Sequence, residues 1–327
     1  MSPMSAIGTI VSPPKGGRGV FGRFAPSPTG RMHLGNVFCA LLSWLSAKSK
    51  GGEWHLRIED LDPGRSRRDY ALRIQEDLQW LGLPWDGEVV WQSERGDIYE
   101  HYLQQLKDAG LTYPCFCTRA DIMATQAPHE TDGRIVYAGT CRGKYKNFSP
   151  LGEVGRGLPP AAIRLIVPNE VISFQDGHYG EQQVNLAEHC GDYILRRKDG
   201  AWAYQLAVVV DDALMGVTEV VRGRDLLLST PQQLHLYRTL GFKEPHFFHH
   251  PLLINEDGQR LCKRDHSTEI GVLRDNHVSP KEIIGNLAFL AGLLLEPTPT
   301  LPHELLPLFS WQKVPMGDIT QRKQLQQ

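Results

Sequence analysis

The stretch Arg23-Phe24-Ala25-Pro26-Ser27-Pro28-Thr29-Gly30-Arg31-Met32-His33-Leu34-Gly35-Asn36 decides the fold. It joins a short apolar run, Val20–Phe24, to a segment from His33 to Lys48. In that segment Leu34, Val37, Leu41, Leu42 and Leu45 recur at helical spacing. Strand, a turn with two prolines and a glycine, then helix opens an α/β unit. Trp54–Ile58 alternates as the next strand, and Arg68–Leu81 is amphipathic and ends near Gly82. The rhythm predicts a parallel α/β sheet. In such a sheet ligands bind at the carboxyl ends of the strands, where a helix N-terminus offers free N–H groups to phosphate. His33 can donate there, and Gly35 leaves room for a phosphate or purine beside the backbone.

The 327 residues carry 35 Lys+Arg and 37 Asp+Glu, a net charge of −2, so nucleic acid would have to be met by a local basic patch. Hydrophobic residues at 41% and charged residues at 22% describe an ordinary globular chain and exclude collagen-like, coiled-coil and wholly disordered classes. No apolar run is long enough to span a bilayer, and the N-terminus lacks the apolar core of a signal peptide, so the cytoplasm and no membrane partner are expected. No apolar interface stripe stands out, and a monomer is expected.

Residues 1–17 read as a flexible Pro/Gly/Ser arm, 18–112 as the first half of the sheet domain and 113–190 as an inserted, Gly/Pro-rich subdomain. Residues 191–250 read as its second half and 251–327 as a loop-rich end with one clear helix, Glu282–Leu294. Tyr193–Arg197, Ala207–Val210 and Glu219–Val221 are expected strands of the resumed sheet, Pro231–Leu240 a helix, and Ala162–Val167 a short strand of the insertion.

The insertion holds Cys115-Phe116-Cys117 and, 23 residues on, Cys141. Three thiolates suit one tetrahedral zinc with a closed, structural shell. Chemistry alone favours His129 as fourth ligand. Cys39 and Cys190 read as core residues. Asp60 and Asp62 read as turn caps, and Arg65–Arg68 as a solvated cluster able to touch nucleic-acid phosphate.

The fourteen-residue string resembles the HIGH signature of class I aminoacyl-tRNA synthetases in its glutamyl form. Downstream, Arg260-Leu261-Cys262-Lys263-Arg264 resembles the lysine loop of that family, with Arg260 and Cys262 departing from its Lys and Ser. The resemblance implies a Rossmann-like catalytic domain that activates an amino acid with ATP and Mg²⁺. It makes His33 and Lys263 catalytic, and gives His33, Gly35, Asn36 and Lys263 to ATP. It gives Arg23, Phe24, Ala25, Pro26, Ser27, Glu59, Tyr204 and Arg222 to L-glutamate, Glu59 taking the α-ammonium and the arginines and Tyr204 carboxylate oxygens. A surface pair of Arg222 with Glu219 is the plain alternative for that arginine. The resemblance also points to Tyr137, in Tyr137-Ala138-Gly139-Thr140-Cys141, as the fourth zinc ligand.

The 64 residues after Lys263 are few for an anticodon-reading domain, and none is expected. With the cysteine pattern, this resembles a truncated branch of the family, the glutamyl-Q tRNA(Asp) synthetases. That branch implies transfer of glutamate to the queuosine base of the tRNA(Asp) anticodon loop, after activation that needs no tRNA. The core of an ordinary glutamyl-tRNA synthetase, or a tRNA-binding module without catalysis, are the competing expectations.

Overall fold

The computed structural model describes residues 19–124, 136–144, 160–259, 261 and 268–321. Strand β1 (Phe21–Phe24) leads through the proline-rich turn into α1 (Leu34–Lys48). Strand β2 (Glu53–Ile58), α2 (Arg68–Trp80), β3 (Val90–Trp91) and α3 (Gly96–Asp108) follow. The insertion then contributes β4 (Thr112–Cys115), α4 (Arg119–Ala124), β5 (Ala162–Leu165), the hairpin β6 (Val171–Asp176) and β7 (Gly180–Asn185), α5 (Leu186–His189) and β8 (Ile194–Arg196). Helix α6 (Tyr204–Leu214), β9 (Glu219–Gly223), α7 (Thr230–Leu240) and β10 (His246–His250) return to the main sheet. The chain continues with β11 (Leu253–Ile254), α8 (Ile270–Asp275), α9 (Pro280–Leu290) and β12 (Ile319–Thr320).

The main sheet has the order β10-β9-β1-β2-β3, all parallel. Each strand alternates between two cores. On β1, Phe21 joins one and Phe24 the other; on β9, Val220 and Val221 divide in the same way. One core takes Val37, Phe38, Leu41 and Leu45 of α1 with residues of α2, α8 and α9; the other takes α3, α6 and α7. Side chains as deeply buried as these stabilise the fold by about 1.5–3 kcal/mol each. The chain leaves β1 toward β2 on one side and reaches β9 on the other. The crevice beyond β1 and β9 is therefore the topological switch point, where open α/β sheets bind ligands.

Two expected strands are corrected. Ala207–Val210 lies inside α6, where Leu206 to Val210 are all essentially buried. A helix enclosed on every side loses its amphipathic period, and three consecutive valines then imitate a strand. Ile194–Arg196 is a strand, but it pairs antiparallel with β5 in the sheet β4-β5-β8 and not with the parallel sheet. The last expected helix starts earlier and stops sooner. Ser279 and Glu282 form a capping box with Pro280 in the first turn, and Gly292 at φ 71 lies just past the end. No helix among the described residues is long and apolar enough to cross a membrane.

Three buried ionic side chains hold the sheet to α6. Asp212 accepts from Arg23 Nε at 3.2 Å on β1 and from Arg57 Nη1 at 2.5 Å on β2. Burial alone would raise the Asp212 carboxyl, but Arg23 and Arg57 outweigh it and hold it below its ordinary value of 3.8. A depressed native pKa stabilises the fold above the unfolded value and loses that contribution as pH falls through the native one. We expect Asp212→Asn to cost about 3–5 kcal/mol in urea unfolding at pH 7, because two buried guanidiniums lose their counter-charge. The gap between variant and parent should narrow below pH ~3.8; a constant gap from pH 7 to pH 2 would refute the ionic role.

Candidate active site

A cavity of about 450 Å³ occupies the switch point. It is lined by Arg23, Phe24, Ala25, Pro26, Ser27, His33, Gly35, Asn36, Glu59, Tyr204 and Arg222, which brings together every expected substrate residue that is described. Parallel pairing aligns the ends of β1 and β2, so Arg23 and Glu59 leave the sheet side by side. The Glu59 N–H donates to Pro26 O at 3.0 Å and the Arg67 N–H to Pro28 O at 2.9 Å, which fixes the proline-rich turn as one wall.

The arginines differ in what balances them. Burial would lower the Arg23 and Arg57 guanidiniums, yet Asp212 raises both above the ordinary arginine value. Arg57 also reaches Glu59 Oε1 at 3.2 Å and lies 3.8 Å from Asp211. Asp211 in turn accepts from Arg95 at 2.6 Å, Gln92 at 2.8 Å and Tyr99 at 2.8 Å. Burial raises the Glu59 carboxyl above its ordinary range, with Arg57 and Arg23 only partly offsetting it. Arg222 is only 4% exposed, so the surface pair with Glu219 does not form. Glu219 instead bonds Ser46 and Lys50. Arg222 donates to His249 Nε2 at 3.0 Å, Gln233 Oε1 at 2.7 Å, Thr230 Oγ1 at 2.8 Å and Leu226 O at 3.3 Å. No carboxylate pairs with it among the described residues, and burial lowers its pKa. A buried cation balanced by neutral acceptors and facing a cavity is the physical signature of a site for an anion.

His33 is the N-cap of α1. Its Nδ1 accepts from the Gly35 N–H at 3.1 Å, and its own N–H donates to Asn36 Oδ1 at 3.0 Å. With Nδ1 used as an acceptor, the neutral ring carries its proton on Nε2. Gly35 has a more local reason than expected: a Cβ there would lie 2.9 Å from His33 Cε1, so the glycine leaves room for the capping ring. Lys263, Arg260 and Cys262 fall outside the described residues. The residues flanking that loop are anchored at the cavity. Leu261 is buried in its wall, and Glu269 pairs with His33 in a β-bridge.

Cys115, Cys117 and Cys141 place their sulfurs within 4.8 Å of one another, a group that could hold a metal. The Tyr137 hydroxyl sits among them, 3.3 Å from Cys115 Sγ and 3.6 Å from Cys117 Sγ, while Cys117 and Cys141 are 3.5 Å apart. His129 lies outside the described residues. A second cavity, of about 710 Å³, runs between this cluster and α6, and the two cavities share the Tyr204 side chain. Cys39 and Cys190 are half-buried, each at the edge of a cavity. Asp62 caps its turn by accepting from the Gly64 N–H, and Arg65 and Arg67 make exposed pairs with neighbouring aspartates.

Arg57, Asp211 and Asp212 were not foreseen as site residues, nor were His249 and Asp176, which stand behind Arg222. The signal for the first three was present: two adjacent aspartates ending a run of valines must be paired if that run is buried.

The profile of the class I tRNA synthetase (E and Q) catalytic domain matches residues 19–296. A glutamyl-Q tRNA(Asp) synthetase of Nitratidesulfovibrio vulgaris is 46% identical over 305 residues, 90% of this chain and 93% of that protein. One of Symbiobacterium thermophilum is 45% identical over 304 residues, again 90% and 93%. The crystal structure of a glutamate tRNA ligase from Elizabethkingia meningosepticum, in complex with its amino acid, superposes with a TM-score of 0.79. It is 28% identical and covers 94% of this chain and 68% of that one. With the switch-point cavity and the arginine and carboxylate pattern described above, the chain belongs to the glutamyl-Q tRNA(Asp) synthetases, within the class I tRNA synthetases of the glutamyl and glutaminyl type.

Proposed function

We propose that the protein activates L-glutamate with ATP and transfers it to the queuosine base in the anticodon loop of tRNA(Asp). One observation carries the amino-acid assignment: Arg222 is a buried cation with no carboxylate partner among the described residues, in the same cavity as the buried carboxylate of Glu59. Glutamate brings both complements, a side-chain carboxylate for Arg222 and an ammonium for Glu59, with Arg23 and Tyr204 beside them. Glutamine would offer Arg222 only a neutral amide.

In the first step a glutamate α-carboxylate oxygen attacks the α-phosphorus of ATP. The new P–O bond forms as the bond to pyrophosphate breaks. The enzyme contributes alignment and charge stabilisation, not a side-chain nucleophile. The His33 ring and the positive end of the α1 dipole would meet the phosphates. Lys263 follows Leu261, a residue of the cavity lining, by two positions in the sequence. In this reading its ammonium neutralises charge developing on the leaving pyrophosphate. Mg²⁺ arrives with ATP, held by phosphate oxygens. In the second step a hydroxyl of the modified base attacks the acyl carbon and AMP leaves. The names of the relatives support this acceptor.

The sulfur cluster suits zinc. Ligand bonds of about 2.3 Å to sulfur and 2.0 Å to oxygen in a tetrahedron imply S···S near ~3.8 Å and O···S near ~3.5 Å. The Cys117–Cys141 spacing of 3.5 Å and the 3.3 and 3.6 Å from Cys115 and Cys117 to the Tyr137 oxygen are close to that shell, and all three sulfurs lie within 4.8 Å of one another. Cys115, Cys117, Cys141 and Tyr137 would fill four positions and leave none for substrate, so the metal would brace the insertion. Thiols kept for a metal suit a reducing compartment, the cytoplasm.

ATP–pyrophosphate exchange should proceed with glutamate and no tRNA. Labelled glutamate should then appear in the anticodon fragment after ribonuclease digestion, and only with tRNA that contains queuosine. Label on the 3′-terminal adenosine would overturn the acceptor assignment. Lys263→Ala should slow exchange by about 10²–10³-fold at nearly unchanged glutamate KM. Metal analysis should find about one zinc per chain, lost in Cys141→Ser. A fully active, zinc-free preparation would remove the metal from the account.

A further inference from the structure

Arg222 and His249 are register partners on the adjacent parallel strands β9 and β10. Behind His249, away from Arg222, stands Asp176, the last residue of β6, delivered from the insertion hairpin. Both Asp176 and His249 are fully buried. We propose that Asp176 and His249 act as a positioning dyad that aims Arg222 at the side-chain carboxylate of the amino acid and thereby sets the preference for glutamate over glutamine. The proposal rests on the reading of Arg222 given above and extends it to two residues outside the cavity lining.

The hydrogen bonds run in one sense. Asp176 Oδ1 accepts backbone N–H groups from His178 at 3.0 Å, Tyr179 at 2.8 Å and His249 at 3.4 Å, so its role as an acceptor is fixed. Asp176 Oδ2 lies 2.6 Å from His249 Nδ1 and, as a carboxylate oxygen, takes that proton. The Nε2 lone pair is then left to accept from Arg222 Nε at 3.0 Å. Burial pushes the His249 pKa down to about 4, so the ring is neutral near pH 7 and supplies a lone pair, not a second cation.

Gln233, Thr230 and Leu226 O hold the Nη1 and Nη2 ends. The guanidinium is thus fixed in its plane by four bonds to uncharged groups. One Nη1 proton has no acceptor among the described residues, and the positive charge remains available to a substrate anion. Any carboxylate placed directly on Arg222 would cancel that charge. A carboxylate one imidazole further back orients the arginine without pairing with it. A neutral ring between an acid and the group it orients is a recurrent solution where a tautomer must be fixed.

The decisive variant is Asp176→Asn. Its oxygen must take the Oδ1 seat, because three backbone N–H groups point there. The amide NH₂ then faces His249 Nδ1 and forces the proton onto Nε2, so a donor meets the Arg222 Nε–H. The readout is ATP–pyrophosphate exchange with glutamate and with glutamine. We expect the glutamate KM to rise about tenfold or more, the KM for ATP to stay within about twofold, and the kcat/KM preference for glutamate to fall about tenfold. His249→Gln, which offers an amide oxygen near the Nε2 seat, should keep the preference within about threefold, whereas His249→Leu should lose it. A structural role alone would lower the folded fraction, and so total activity, without changing that ratio. Unaltered glutamate KM and discrimination in a folded Asp176→Asn protein would overturn the dyad. Arg222→Lys separates the two readings. If it leaves the glutamate KM unchanged, the assignment of Arg222 itself fails. If it raises that KM while Asp176→Asn does not, only the dyad fails.

Discussion

Two arginines on neighbouring parallel strands, Arg23 on β1 and Arg57 on β2, are buried within bonding distance of one carboxylate, Asp212. Neither could remain inside a low-dielectric sheet without it, since an isolated buried guanidinium costs far more than a surface one. Asp212 comes from α6, so the same ion cluster fixes the helix to the sheet. Around it the charges balance: Arg23, Arg57 and Arg95 face Asp211, Asp212 and Glu59. Glu219 lies nearby in the sheet, but Lys50 takes it. Among the described residues no carboxylate pairs with Arg222, and that imbalance gives the cavity its sign. The selectivity proposed for the site follows from a balanced scaffold with one charge left over, not from a generally basic surface.

The opening strand, turn and helix were legible because their signals are local. Apolar spacing marked α1 and alternation marked β2. The proline-glycine turn marked the crevice, and the residues taken from the family string meet in one cavity. The thiol cluster was legible for the same reason: three cysteines at short spacing point to a shared site. Helix α6 was not legible, because full burial removed the periodicity that distinguishes Ala207–Val210 from a strand. Strand Ile194–Arg196 was recognisable as a strand, but its partner was not. Pairing with β5 depends on how the insertion folds back, which no window of sequence contains. Asp176 and His249 lie 73 residues apart in the chain and meet only through that folding.

The insertion therefore does more than carry a metal-like cluster. Among the described residues it meets the parallel sheet through β6 and faces helix α6 across the larger cavity. Through β6 it sets Asp176 against His249 on the edge strand. Through the larger cavity, Tyr137 and Arg164 on one side look across to Tyr204 on α6. Arg164 lies 3.8 Å from the Tyr137 ring centroid and is tied by Nη1 to Asp192 O. Arg164 thus stacks on the ring of the tyrosine whose hydroxyl stands among the three sulfurs. The sulfur cluster and its cationic neighbour form one wall of the space beside Tyr204.

That arrangement bears on how a two-step transfer can run without a nucleophilic side chain. Activation needs the amino acid held at both ends while its α-carboxylate meets the nucleotide; transfer needs the acyl carbon presented to a second, bulky substrate. The proline-rich turn and the start of α1 line the cavity on one side, and Tyr204 lines it from α6. Tyr204 is the side chain common to both cavities, and it stands at the start of α6, the helix whose aspartates hold the arginines of the sheet. A shift of α6 would disturb the ion cluster, the amino-acid cavity and the shared wall together. The buried charges therefore stabilise the fold and, through the same bonds, hold the wall that the two cavities share.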